Sequence, residues 1–154
     1  MRIQKMSKKG REFLTREEGG HYLKAYRCQA NIPTISVGCT YYEDGTRVKM
    51  GDSITLERSE KLFSNVLSGF EKHVDNVTRD DISQNQFDAL VSLCFNIGMD
   101  AFRKSTLLAL VNANPNNPDI AKQFAAWRRA NGQVSKGLVN RRKRESALYF
   151  SPVV

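Results

Sequence analysis

Four groups of side chains in this sequence could do chemistry: the adjacent carboxylates Glu17 and Glu18, the thiols Cys28, Cys39 and Cys94, the imidazoles His21 and His73, and the cationic run Arg141, Arg142, Lys143 and Arg144. A glutamate donates a proton near neutral pH only where its surroundings raise its pKa; elsewhere it is a solvated carboxylate. A thiolate beside a histidine is a competent nucleophile, so Cys28 with His21 or His73 would suit a Cys-dependent wall peptidase or amidase, although no peptidase motif surrounds them. Taken alone, Cys28 reads as a small buried hydrophobe and Thr34 as a β-branched strand residue. The three cysteines are an odd number without a Cys-x-x-Cys pair, which points to reduced thiols in a cytosol and to no metal. The cationic run reads first as a solvated helix face, with a diffuse attraction for anions as its secondary role.

These groups are carried by elements that the pattern of apolar residues predicts. A short helix over Ser7 to Glu18 is stopped by Gly19-Gly20. From Tyr22 to Gly51 the β-branched and aromatic residues Tyr26, Ile32, Thr34, Ile35 and Val37, broken by Pro33, Gly38 and the turn signal Asp44-Gly45, predict a small antiparallel sheet. Leu56, Leu62, Phe63, Val66, Leu67, Phe70 and Val74 recur at helical spacing, which predicts a long helix from Thr55 to Val77. Ser83 is the expected N-cap of a helix that Gly98 closes. Shorter helices are expected over Thr106 to Val111, from Asp119 as N-cap through Trp127 to Gly132, and over Leu138 to Tyr149, with Asn112 to Pro118 a loop.

The fold class is therefore α+β and mainly α. One domain over 1–154 is expected, with a sheet lobe over 20–54, a linking helix over 55–77 and a helical lobe over 83–150. A hydrophobic fraction of 40% and a charged fraction of 26% exclude a disordered or low-complexity chain. The net charge of +8 favours an anionic partner without choosing among nucleic acid, lipid and wall polymer. Met1 to Lys9 lacks the apolar stretch of a signal peptide, and no run of about 18 apolar residues occurs, so no export signal or membrane span is expected.

Three ordered blocks carry a resemblance. The first is Arg16-Glu17-Glu18-Gly19-Gly20, then Leu23-Lys24-Ala25-Tyr26-Arg27-Cys28, then Pro33-Thr34-Ile35. The second is Gln84-Asn85-Gln86-Phe87-Asp88-Ala89-Leu90 with Phe95-Asn96-Ile97-Gly98, Ala101-Phe102 and Ser105-Thr106-Leu107-Leu108. The third is Trp127 with Gly137-Leu138-Val139, Arg141-Arg142 and Glu145. Together, over roughly Phe13 to Tyr149, they resemble the phage T4-type lysozymes, a glycoside hydrolase family of endolysins.

The resemblance implies a lysozyme-like fold and cleavage of the β-1,4 bond between N-acetylmuramic acid and N-acetylglucosamine in peptidoglycan. It implies a catalytic Glu, a second residue that is Asp or Cys, and a Thr that helps hold the attacking water, which match Glu18, Cys28 and Thr34. Phe95, Asn96 and Ser105 match cleft-lining, substrate-binding positions; Phe95 also suits a core and Ser105 a helix cap. The chain departs from the family twice. Gly19-Gly20-His21-Tyr22 holds an insertion whose placement decides whether Glu18 or Glu17 faces the cleft. Cys39 stands where many relatives have His in Gly-x-Gly-His-Thr, which bears on stability more than on catalysis.

Acid–base hydrolysis of a glycan needs neither metal nor organic cofactor, so none is expected. Peptidoglycan strands are the expected partner, with no nucleic acid, no stable membrane insertion and a monomeric state. The expected location is the host cytoplasm before release, with action on the cell wall. A non-catalytic peptidoglycan-binding domain of the same fold is the principal alternative, and a basic nucleic-acid binder, which would rest on charge alone, is a further one.

Overall fold

The computed structural model describes residues 2–28 and 30–152. The elements run α1 (Lys8–Glu17), β1 (Tyr22–Arg27), β2 (Pro33–Ser36), α2 (Leu56–Val77), α3 (Gln84–Ile97), α4 (Met99–Arg103), α5 (Thr106–Ala113), α6 (Asp119–Ala126), β3 (Arg129–Ala130), β4 (Gln133–Val134) and α7 (Lys136–Tyr149). The mainly helical α+β class expected from the sequence is the class observed. The chain divides into two compact units, Glu12–Gly69 and Met1–Arg11 with Phe70–Val154, and the divisions fall inside α1 and α2. Among the described residues, no helix is long and apolar enough to cross a membrane.

In the unit Glu12–Gly69, β1 and β2 pair antiparallel, with Tyr26 opposite Thr34 and Arg27 opposite Pro33. The register slips between Tyr22 and Tyr26, and isolated bridges Lys24 to Ser53, Ile35 to Cys39 and Tyr41 to Arg47 continue the sheet region. Its core is Ile35, Cys39, Val48 and Leu62, with Ala25, Tyr42, Ile54 and Val66 packed against it. Cys39, the residue at the family's His position, sits here as an apolar side chain, and burial pushes its thiol up to about 11. The predicted turn at Asp44-Gly45 forms: the Asp44 carboxylate accepts from the Thr46 N–H at 2.9 Å and Gly45 has φ 85°.

The other unit is built on α3, which packs against α7 and α4, while α6 packs against α5 and α7. Ser83 caps α3 as expected, accepting from the Gln86 N–H at 3.1 Å while the Gln86 side chain accepts from the Ser83 N–H at 2.9 Å. Two expectations need correcting. Asp119 is the first residue of α6, not its cap; its N–H is taken by the Asn117 side chain at 2.9 Å, because Pro118, with φ −62°, already holds the geometry of a first turn. The helix does not reach Gly132. It stops at Ala126, and Arg129–Val134 forms a hairpin because Asn131 (φ 53°) and Gly132 (φ 78°) supply the two left-handed residues of a tight turn.

A buried carboxylate ties the start of α1 to α3. Asp88 has no exposed surface and accepts from the Ser7 N–H at 3.1 Å, the Ser7 hydroxyl at 2.5 Å and the Gln84 amide at 2.9 Å. Burial pushes this carboxyl above its ordinary range despite those donors. Gly10 lies against it, and a Cβ at position 10 would overlap the Asp88 carboxyl group. Gly10→Ala is therefore expected to cost about 1–3 kcal/mol, although alanine is ordinarily the better helix former. Thermal unfolding measures this, and an unchanged or raised Tm contradicts it.

Candidate functional site

The helix α1 ends at Glu17, and Glu18 is the first residue beyond it, with its N–H bonded to the Leu14 carbonyl at 3.0 Å. Gly19 (φ 92°) and Gly20 (φ 102°) then reverse the chain, a path open to two glycines in succession and costly for other residues. The stretch that follows α1 is held at both ends. A Cβ at Gly19 would meet the Tyr22 hydroxyl at 2.8 Å, and the Tyr22 ring lies 4.3 Å from that of Tyr26. His21 Nδ1 lies 2.7 Å from Ser59 Oγ in α2, and the His21 ring meets Phe63 edge-on. Glu17 and Glu18 are both half-buried.

Cys28 follows β1 directly, and Thr34 lies in β2. The two are brought together by one carbonyl: Ile32 accepts from the Cys28 N–H at 3.1 Å and from the Thr34 hydroxyl at 2.8 Å. The turn is closed by the Asn31 N–H on the Cys28 carbonyl at 2.8 Å, with Asn31 left-handed at φ 62°. Burial raises the Cys28 thiol, but donation from the Ile32 backbone, the Thr34 hydroxyl and the Ala30 backbone outweighs it and leaves the thiol below its ordinary value. The Thr34 hydroxyl thus reaches both the Ile32 carbonyl and the Cys28 sulfur, and its single proton serves one of them at a time. Cys94, by contrast, is pushed up to about 12 by burial alone.

Tyr26 connects these groups electrostatically. Burial, followed by the charges of Tyr22, Glu18, Cys28 and Cys39, pushes its phenol up to about 12, so the Glu18 and Cys28 charges reach the same side chain. Each imidazole has a partner within its own unit. His21 is engaged by Ser59, and His73 bonds through Nε2 to the Met99 carbonyl at 3.0 Å. Among the described residues, no three His, Cys, Asp or Glu side chains converge as a metal site.

The other three candidates lie in the second unit. Phe95 is half-buried, with its ring 4.9 Å from that of Phe70. Ser105 is buried and caps α5, accepting from the Leu108 N–H at 3.1 Å and donating to the Phe102 carbonyl at 2.7 Å. Asn96 is exposed near the end of α3, and its Oδ1 accepts from Arg142. The sequence pattern missed the reason: Arg141 and Arg142 do not belong to a solvated face. They are 5% and 2% exposed and converge on Glu145, which has no exposed surface, whereas Lys143 and Arg144 face solvent. The available signal was the spacing, since carboxylates three and four residues along a helix from two arginines lie on their face.

Comparison with known proteins shows the family to which the chain belongs. The phage lysozyme family model matches residues 16–145. The endolysin of Salmonella phage P22 is 42% identical over 149 residues, covering 97% of this chain and all of that protein. Among solved structures, an endolysin from Escherichia coli O157:H7 phage FAHEc1 superposes with a TM-score of 0.87 at 34% identity, covering 99% of this chain and 98% of its own. The muramidase domain of SpmX from Asticaccaulis excentricus gives 0.81 at 31% identity, covering 97% of this chain and all of that one.

The three thiols should separate by reactivity, because thiolate fraction and exposure both favour Cys28. Limited treatment of the native protein with iodoacetamide near neutral pH, followed by peptide mass spectrometry, should show Cys28 alkylated well before Cys39 or Cys94. Equal labelling of all three would contradict the lowered thiol.

Proposed function

Because the chain belongs to the phage lysozyme family, it is a glycoside hydrolase of bacterial peptidoglycan, a muramidase, and we propose that Glu18, Cys28 and Thr34 carry the reaction. Glu18 donates its proton to the oxygen of the β-1,4 bond between N-acetylmuramic acid and N-acetylglucosamine as that bond breaks. A water attacks the anomeric carbon from the opposite face, gives up its proton to the Cys28 thiolate, and inverts the anomeric configuration. The Thr34 oxygen, its own proton turned to the Ile32 carbonyl, accepts a hydrogen bond from that water. The supporting observation is the shared hold of the Ile32 carbonyl on Cys28 and Thr34, with the Glu18 charge felt at Tyr26 beside them.

In this reading Phe95 and Asn96 contact the sugars, and Ser105 serves binding by fixing the start of α5. Residues 1–154 act as a single lysozyme-like domain, supported by a family match that runs through both compact units. The protein works as a monomer on glycan strands, with no nucleic-acid partner and no cofactor. It waits in the host cytoplasm until release to the wall. Retention of Glu18 weighs against the non-catalytic binding domain.

Digestion of purified peptidoglycan should liberate reducing ends at N-acetylmuramic acid and no new amino termini; amino termini alone would replace the muramidase with a peptidase or amidase. Glu18→Gln should lower turnover by roughly 10²–10⁴-fold with the fold intact, and Glu17→Gln should change it little. An exchange of those two results would make Glu17 the acid.

The base assignment has a pH signature. Activity should rise with pH as the Cys28 thiol ionises, with the midpoint below the ordinary thiol value because of the donors around the sulfur. Cys28→Asp should keep substantial activity with its profile moved to the acid side, since a carboxylate ionises earlier, and Cys28→Ala should lose most of it. Full activity in Cys28→Ala, unaffected by a thiol-blocking reagent, would make Cys28 a packing residue.

A further inference from the structure

Asn96 is the exposed end of a buried chain of hydrogen bonds. Arg142 is 2% exposed and each of its nitrogens is engaged: its Nε donates to the Trp127 carbonyl at 2.9 Å, its Nη1 to Glu145 Oε1 at 2.6 Å, and its Nη2 to Asn96 Oδ1. Glu145 is anchored on its other oxygen by the Ser92 hydroxyl at 2.6 Å and Arg141 Nε at 3.1 Å, and Arg141 reaches back to the Ser92 carbonyl at 3.2 Å. A guanidinium held on all three nitrogens cannot swing.

A guanidinium has only donors, so the side-chain atom of Asn96 that faces it must be the carbonyl oxygen. The amide is planar, and its NH2 group therefore points the opposite way. Among the described residues no group accepts from that NH2, and the residue is exposed. An unconstrained asparagine offers donor and acceptor with equal ease by flipping its amide; this one has lost the choice.

We propose that Arg142 is a positioning residue, which locks Asn96 as a hydrogen-bond donor toward an acceptor oxygen of the glycan. The inference rests on the reading of Asn96 as a glycan contact and adds the polarity of that contact and the residue that sets it. A glycan offers many acceptor oxygens, the acetamido carbonyl being the strongest neutral one, and a preset donor binds it without the cost of fixing the amide on arrival.

The test compares wild type with Asn96→Ala, Asn96→Asp, Arg142→Lys and the double variant Arg142→Lys/Asn96→Ala in the hydrolysis of purified peptidoglycan sacculi. Asn96→Ala should raise KM roughly five- to tenfold with kcat nearly unchanged, the scale of one lost hydrogen bond. Asn96→Asp should be at least as impaired, because its first oxygen still accepts from Arg142 and its second presents an acceptor where the glycan needs a donor. Lysine keeps the charge beside Glu145 but lacks the fork, so Arg142→Lys should raise KM by a similar factor, with no further rise in the double variant. A merely structural Arg142 would give effects that multiply with those of Asn96→Ala, and wild-type KM in Asn96→Asp would mean that the oxygen faces the glycan; either result overturns the proposal. If Arg142→Lys does not fold, the two Asn96 variants decide it alone. Wild type that sediments with sacculi but releases no reducing ends would overturn the muramidase reading separately, and the Asn96 comparison would then be read from sedimentation.

Discussion

A carboxylate with no exposed surface can remain in a protein only if each of its oxygens is met by donors, and Glu145 is such a group. Its partners come from two helices, Ser92 from α3 and Arg141 and Arg142 from α7, and Arg142 also donates to the Trp127 carbonyl just past α6. Removing a charged member would leave buried charge uncompensated and removing a neutral one would leave a buried polar group short of a partner, so the relative placement of α3, α7 and the end of α6 is dictated more strictly than apolar packing could dictate it. Hydrophobic side chains tolerate small slides, whereas a doubly paired carboxylate does not. The exposed Asn96 amide inherits this rigidity at the surface.

The smaller unit reaches the same end with neutral groups. Ser36, left-handed at φ 60°, lies 2.9 Å from the Ser59 carbonyl and 2.6 Å from the Ser59 hydroxyl. The Ser59 hydroxyl in turn lies 2.7 Å from His21 Nδ1. A left-handed β2 residue, a buried helix residue and the segment after α1 are thereby linked in one chain. On the far side of the hairpin, the Ile32 carbonyl does the comparable work for Cys28 and Thr34.

Elements defined by periodicity or by a local cap were legible in the sequence. The helix predicted over Thr55 to Val77 is observed as Leu56–Val77, and Ser83 forms its capping box because both partners lie within one turn. Legibility failed where the deciding partner is local but unusual, as with the Asn131-Gly132 turn that converts an expected helix end into a hairpin, and at α4, whose five residues are too few to show a period. It failed differently at Arg141 and Arg142. A run of four cations reads as solvated until one knows that a carboxylate in the same helix and a serine in another are buried with it, and the second of those facts is tertiary. For the candidate site, Glu18, Cys28 and Thr34 came from family resemblance, since composition and spacing alone left a solvated glutamate, a packed thiol and an ordinary strand threonine.

The two carboxylates at the end of α1 differ in a way that only the backbone reveals. Glu17 is the last residue of the helix, and its side-chain direction is set by the helical repeat. Glu18 follows, in the turn whose path is governed by two left-handed glycines and by the anchors Tyr22 and His21. Glu18 therefore leads into a segment tied to the sheet and to α2, while Glu17 keeps the register that the helix sets. The position beyond the helix is also the one whose charge reaches Tyr26 and Cys39. A thiol in place of a carboxylate at position 28 fits this arrangement because sulfur needs less help to stay partly buried, and the few donors around it, from Ile32, Thr34 and Ala30, are enough to favour the thiolate. The site thus depends on a turn, Cys28 to Ile32, whose backbone donors act on sulfur and whose one carbonyl also holds the threonine.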